Sequence, residues 1–162
     1  MSDEKLRNLS ELLDLHNDLD EMFFEHQSAL LRLNFPKALE LLEVYETALL
    51  HHMRDEETYL MPIYIERAAV IRGGAGQLFL DEHYKMSEFV RLFKEEIVKL
   101  ESNPAPEKDL LFLLDRESFY KRLCNHHDKR ETDIFYPEID RITSYEEKLE
   151  ILGKVACDLR AI

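Results

Sequence analysis

Residues 45–62 read YETALLHHMRDEETYLMP and residues 120–137 read YKRLCNHHDKRETDIFYP, so the second stretch is a version of the first moved 75 residues along the chain. The shift superimposes Tyr45 on Tyr120, His51–His52 on His126–His127, Glu56 on Glu131 and Pro62 on Pro137. In both copies the second His and the Glu are four residues apart. On an α-helix that spacing puts an imidazole and a carboxylate on one face, one turn apart. Two such faces turned toward each other gather two histidines and two acids at one level of a bundle.

Outward from the two copies the periodicity stays helical. Residues 3–33 carry Leu9, Leu12, Leu19, Phe23, Leu30 and Leu33 at helical spacing, with His16 and His26 inside the same stripe. Asn34-Phe35-Pro36 ends that helix, and Pro36 suits the first turn of the next. A second helix runs from about 37 to the mid-60s on Leu41, Tyr45, Ala48, His52, Glu56, Tyr59 and Ile63, with Pro62 bending or ending it. Arg72-Gly73-Gly74-Ala75-Gly76 is the clearest loop.

A third helix over about 77–101 presents Phe79, His83, Met86, Val90, Phe93, Ile97 and Leu100. After the turn Ser102-Asn103-Pro104-Ala105-Pro106, a fourth over about 108–140 presents Leu113, Tyr120, Leu123, His127, Glu131 and Ile134. Ser144 and Glu147 have capping-box spacing ahead of a short last helix. No stretch alternates with period two. The expectation is an all-α chain: residues 1–162 form a single domain, an antiparallel up-down-up-down four-helix bundle with a short C-terminal fifth helix.

Composition narrows the function. A net charge of −13 excludes nucleic acid and anionic membranes as partners, since both would repel it. No run has the length of a membrane span and MSDEKLRN lacks the apolar core of a signal peptide, so a cytoplasmic location is expected. Cys124 and Cys157 are the two cysteines; they form no CxxC pair and read as unpaired thiols, Cys124 as a packing residue.

Helix rise tests whether the histidines meet. With a pivot at Phe35, His16 lies 19 residues before it and His52 17 after, a height difference of only ~3 Å. With a pivot at Ala105, His83 and His127 each lie 22 residues away. The middle connection is less even: Glu56 is far from the Gly-rich loop and His83 near it, so either the second helix overshoots or the loop folds back. His26 stands ~15 Å along the axis from His16 and reads as a satisfied core or end residue. His51 and His126 sit about 100° round from their neighbours, on the helix flank, with His126 kept as an alternate ligand. Asp20, four residues after His16, is the candidate hydrogen-bond partner for that imidazole. Tyr45 and Tyr120 read as core aromatics whose hydroxyls need partners.

A single His on an apolar stripe is ordinarily a hydrogen-bonded core residue. Two buried glutamates among four histidines are another matter, because unpaired buried carboxylates are costly. His16, His52, Glu56, His83, His127 and Glu131 are therefore the candidate metal ligands. Six are too many for one tetrahedral zinc and fit two ions bridged by carboxylates. Mixed nitrogen and oxygen ligation suits iron, with manganese and zinc as the other metals of matching preference. The ferritin-type arrangement, with Glu three residues before His, is absent: Leu49, Leu80 and Cys124 hold those positions.

The ordered set resembles the hemerythrin-like (HHE cation-binding) family over nearly the whole chain. The resemblance rests on His16, His52-x3-Glu56-Glu57 with Leu60-Met61-Pro62, Glu82-His83, and His127-x3-Glu131 with Phe135-Tyr136-Pro137. It implies a non-heme di-iron centre, two Fe ions with a bridging oxo or hydroxo group, with Glu56 and Glu131 as bridges and the four histidines as terminal ligands. It also implies binding or sensing of a small molecule such as O2, NO or peroxide. Family members that carry oxygen have a further His where this chain has Ser87, which leaves one iron with fewer protein ligands and favours sensing, redox or iron handling. Similar repair proteins carry an N-terminal cysteine-bearing domain that these residues do not include. The alternative reading is a di-iron enzyme or iron-handling protein: peroxide reduction, ferroxidase-like chemistry, or iron donation in iron–sulfur repair.

Overall fold

The computed structural model describes residues 7–160, with side chains through residue 156, and among these there is helix and no strand. The Cys157 side chain and the start of the first expected helix lie outside what is described. The first described element is a 3-10 turn, Leu9–Asp14, where a continuous α-helix was expected. The carboxylate of Asp140 accepts from the N–H groups of Leu9 and Ser10 at 2.7 and 3.2 Å, tying this turn to the far end of the chain. Helix α1 (Leu15–Leu31) follows and ends in a tight turn where Leu33 takes a φ of 58°. Leu33 is thereby turned out to solvent, off the stripe expected for it.

Asn34 caps α2 (Phe35–Asp55) by accepting from the Lys37 N–H at 3.2 Å, and Pro36 stands in the first turn. A π turn, Glu56–Leu60, then leads into α3 (Met61–Arg67). Residues 68–75 return along the bundle, with Gly73 at a φ of 80°. Helix α4 (Gly76–Glu101) starts so close to α3 that a Cβ on Gly76 would stand 2.9 Å from Ile65 Cγ1. Both answers to the middle connection hold: the second rod overshoots to Arg67 and the loop folds back. The fourth rod repeats the second: α5 (Glu107–Arg130), a π turn Glu131–Phe135, and α6 (Tyr136–Ile142). Ser144 and Glu147 form the expected reciprocal cap at 2.8 and 3.1 Å, opening α7 (Tyr145–Arg160). The fold is the all-α bundle with a C-terminal helix.

The two π turns explain where the stripes drift. Pro62 and Pro137 have no N–H to give the carbonyls four residues back, and the wide turn before each absorbs that loss. One extra residue per turn rotates the downstream helix by about 100°. Leu60, Met61 and Tyr64 are therefore buried in place of Tyr59 and Ile63, and Phe135, Tyr136 and Ile139 in place of Ile134. Helix α4 has no such turn, and its seven expected core residues are all buried. The apolar interior is in two parts. One is built on Phe23, Leu42, Val90, Phe93 and Tyr120; the other on Leu9, Leu60, Phe79, Phe135 and Tyr136. The His/Glu layer lies between them. No helix of the described residues is long and apolar enough to cross a membrane.

Candidate metal centre

Each hairpin delivers its histidines level. His16 Nε2 lies 3.1 Å from His52 Nε2, and His83 Nε2 lies 3.2 Å from His127 Nε2. Glu56 and Glu131, at the starts of the two π turns, enter between these pairs. Glu56 sets Oε1 3.1 Å from His52 Nε2 and Oε2 3.2 Å from His83 Nε2. Glu131 sets Oε2 3.0 Å from His16 Nε2 and Oε1 2.8 Å from His127 Nε2. The ligand atoms fall into two groups, His16/His52/Glu56/Glu131 and Glu56/His83/His127/Glu131, each within 4.8 Å. Both groups have the composition and closeness to hold a metal ion, and both carboxylates are common to the two. All six residues singled out in the sequence are here.

The outer nitrogens are held by acids that sequence reasoning left without a role. His83 Nδ1 donates to Glu57 Oε1 at 2.9 Å and His127 Nδ1 to Glu82 Oε2 at 2.8 Å. Arg130 in turn pairs with Glu82. His16 Nδ1 faces Asp128 Oδ1 at 3.6 Å, so Asp128 takes the position expected of Asp20. These acids follow a rule legible in the sequence: each is the chain neighbour of one candidate ligand and serves a ligand on a facing helix. Tyr136, also missed, donates its hydroxyl to Glu56 Oε1 at 2.7 Å, and burial holds its pKa far above the ordinary value.

Charge in the layer is dominated by the two carboxylates. Burial alone would push Glu131 up, but the imidazoles of His127, His16 and His83 gathered around it hold it well below the usual carboxylate range. Glu56 is lowered as well: burial and the Glu131 charge oppose this, and His52 and His83 outweigh them. Burial would lower the histidines, yet the nearby carboxylates of Glu131 and Glu56 raise His83 to about 9, and those of Glu131 and Glu82 raise His127 to about 10. His16 and His52 are raised for the same reason. Burial pushes the Asp128 carboxyl up to about 6.

The layer thus attracts positive charge. A cation that displaces the second proton of each ring would leave donation through Nδ1 in place and meet the facing Nε2 lone pairs of His83 and His127. Glu56 Oε2 and Glu131 Oε2 are buried with no hydrogen-bond donor, the nearby nitrogens having the distance but not the angle. Imidazole nitrogens and orphaned carboxylate oxygens directed into one buried space could hold a metal ion.

The remaining residues stand apart. His126 is exposed and outside both groups, so it is not an alternate ligand. His51 pairs on the flank with Asp55 at 3.3 Å. His26 is fully buried ten residues from His16: Nδ1 donates to the Ala38 carbonyl at 2.8 Å and Nε2 meets Glu117 Oε1 at 2.8 Å. Tyr45 and Tyr120 share a hydroxyl hydrogen bond at 2.6 Å, each satisfying the other. Beside them the half-buried Cys124 thiol is free and pushed up by burial to about 12, in keeping with a packing residue. Ser87 Oγ donates to the Tyr84 carbonyl at 2.8 Å and faces away from the cluster. No family model, curated protein or solved structure matches this chain.

Proposed function

We propose that this chain is a hemerythrin-like protein in which His16, His52, Glu56, His83, His127 and Glu131 hold two iron ions, and that the ion pair binds or senses a small molecule such as dioxygen, nitric oxide or peroxide. One observation carries the reading: each of two buried carboxylates presents one oxygen to each of two His pairs. Two nitrogens and two carboxylate oxygens at each position suit iron, and manganese and zinc share the preference. When bound, such ions supply Lewis acidity and a change of oxidation state.

The surrounding residues do the positioning. Glu57 and Glu82 fix the rings of His83 and His127 with Nε2 inward, and Arg130 steadies Glu82. Ser87 adds no donor, so each group has four protein atoms and none on the α4 side beyond His83. That leaves positions for water or a small ligand and favours sensing or redox over stable carriage.

The test is metal analysis with an absorption spectrum after anaerobic reconstitution. About two irons per chain, with bands that respond to oxygen or nitric oxide, are expected. Less than about one iron per chain would sink the reading. A second reading, a di-iron enzyme reducing peroxide or oxidising ferrous iron, draws on the buried Tyr136 hydroxyl, a hydrogen-bond donor held against Glu56. Turnover of peroxide or ferrous iron that is lost in Glu56→Ala favours it; stoichiometric binding without turnover counts against it.

A further inference from the structure

We infer that the two metal groups exchange their ions at different rates. The ion of the His16/His52 group enters and leaves along the groove between α1 and α5, guided by Asp20 and Asp128, and the ion of the His83/His127 group stays. This rests on the two-metal reading above and concerns how that centre is loaded and emptied. The ligands are not equally enclosed: the His16 side chain is 12% exposed, against 3% for His83 and His127. His16 is the second residue of α1, at the joint with the 3-10 turn. Glu57 and Glu82 hold the rings of His83 and His127 at 2.9 and 2.8 Å. Asp128 Oδ1 stands 3.6 Å from His16 Nδ1, beyond hydrogen-bonding distance, so His16 is the loosest of the three rings. Just inward, Glu131 Oε2 is buried with no hydrogen-bond donor, 3.0 Å from His16 Nε2. A cation that passes His16 meets an unpartnered carboxylate oxygen.

The groove outside has the sign a cation needs. Residues 8–31 contain six acids and no Lys or Arg. Asp20 follows His16 by one turn on the same face of α1, and Asp128 faces it from α5, near enough that the two charges repel. A cation between them relieves that repulsion. The cavity beside this pair measures about 250 Å³, room for an ion with its water shell at about 30 Å³ per water. Asp20 and Asn125 line its end toward the metal layer. Lys121, bonded to Gln27 Oε1 at 3.2 Å, stands at the far end. On the other flank the half-buried Arg130, paired with Glu82, sets a positive charge beside His127 and repels a cation approaching there.

The test loads the full chain with ferrous iron under anaerobic conditions and counts the iron bound. Release is followed by transfer to ferrozine, and capture by quenching with ferrozine at timed intervals. Wild type is expected to release its iron in two phases about ten-fold or more apart. His16→Ala should delete the fast phase, and Glu82→Gln should quicken the slow one about ten-fold. Asp128→Asn and Asp20→Asn should each slow the fast capture about five-fold and reduce its dependence on salt. Asp128→Glu, which keeps the charge, should retain the wild-type rate. Asp18→Asn, the same charge change on the α2 side of α1, should alter it less than about two-fold. If Asp128→Asn fails to fold, the exposed Asp20 carries the charge test. Release in one phase, a fast phase that survives His16→Ala, or capture indifferent to the Asp20 and Asp128 variants overturns this inference and leaves the di-iron reading standing. Less than about one iron per chain at equilibrium removes both.

Discussion

Shared and private ligands should fail differently, and Glu131→Gln against His16→Ala makes the comparison. His16 touches one group only, so its loss leaves three ligand atoms there and all four in the other. Glu131 contributes to both, so its replacement leaves three in each; Gln keeps the volume and opens no cavity. Loss of a residue that merely orients a ligand weakens metal binding 10- to 100-fold, so about 100-fold, or ~2.7 kcal/mol, is a lower value for a direct ligand. The metal-linked gain in stability then falls by ~2.7 kcal/mol in His16→Ala and by ~5.5 kcal/mol in Glu131→Gln. For a chain of 162 residues, 1 kcal/mol corresponds to about 2–4 °C, so the difference in Tm between loaded and metal-free protein shrinks by roughly 5–10 °C and 10–20 °C respectively. The assay is a paired thermal melt with and without metal, joined to metal per chain by emission spectrometry. His16→Ala should keep about one ion and Glu131→Gln close to none at limiting metal. Equal losses in the two variants, or an unchanged metal count in Glu131→Gln, would refute the shared-carboxylate reading.

Three other outcomes are expected from the same geometry. Metal-free protein should lose stability as pH rises. Histidines whose folded pKa lies above the unfolded 6.5 stabilise fully below that value, and the gain is lost as pH passes about 9 for His83 and about 10 for His127, which denaturant melts across that window will measure. Glu117→Ala should cost about 3–5 kcal/mol by denaturant titration, because it strands the buried His26 Nε2; the double replacement His26→Leu with Glu117→Leu should cost less. Leu33→Gly should gain about 0.5–1 kcal/mol, since a non-glycine residue holds the left-handed conformation there, and an unchanged or lower Tm would count against that account.

Much of this was legible in the chain. The helix order, the turns at Asn34 and Ser144, the core face of α4 and the level meeting of His16 with His52 and His83 with His127 follow from period and rise alone. What was hidden has physical causes. A helical wheel assumes a constant turn, and the π turns at Glu56 and Glu131 break that assumption, which moved Tyr59, Ile63 and Ile134 off the buried face. The 3-10 geometry of Leu9–Asp14 is imposed by Asp140, more than a hundred residues away and invisible to a local window. Asp20 was assigned to His16 from same-helix spacing, but the acids that hold these rings come across the bundle, from Glu57, Glu82 and Asp128. Glu117 was overlooked because one acid on an apolar stripe reads as an exposed turn until its partner His26 is seen beside it.

The division of the apolar interior into two parts gives the polar layer a mechanical role. Each part is a small oily block that holds its own helical segments, and the two are joined across the middle by a layer of carboxylates and imidazoles. Filled with cations as proposed, that layer would rivet the two blocks, and the whole bundle would open at once. Emptied, it would be a seam along which the end containing α3, α6 and the 3-10 turn could part from the rest. Loading and unloading the centre would then change how the molecule comes apart as well as how much heat it withstands, and a partner that grips only the parted form would be reading metal status without touching the metal.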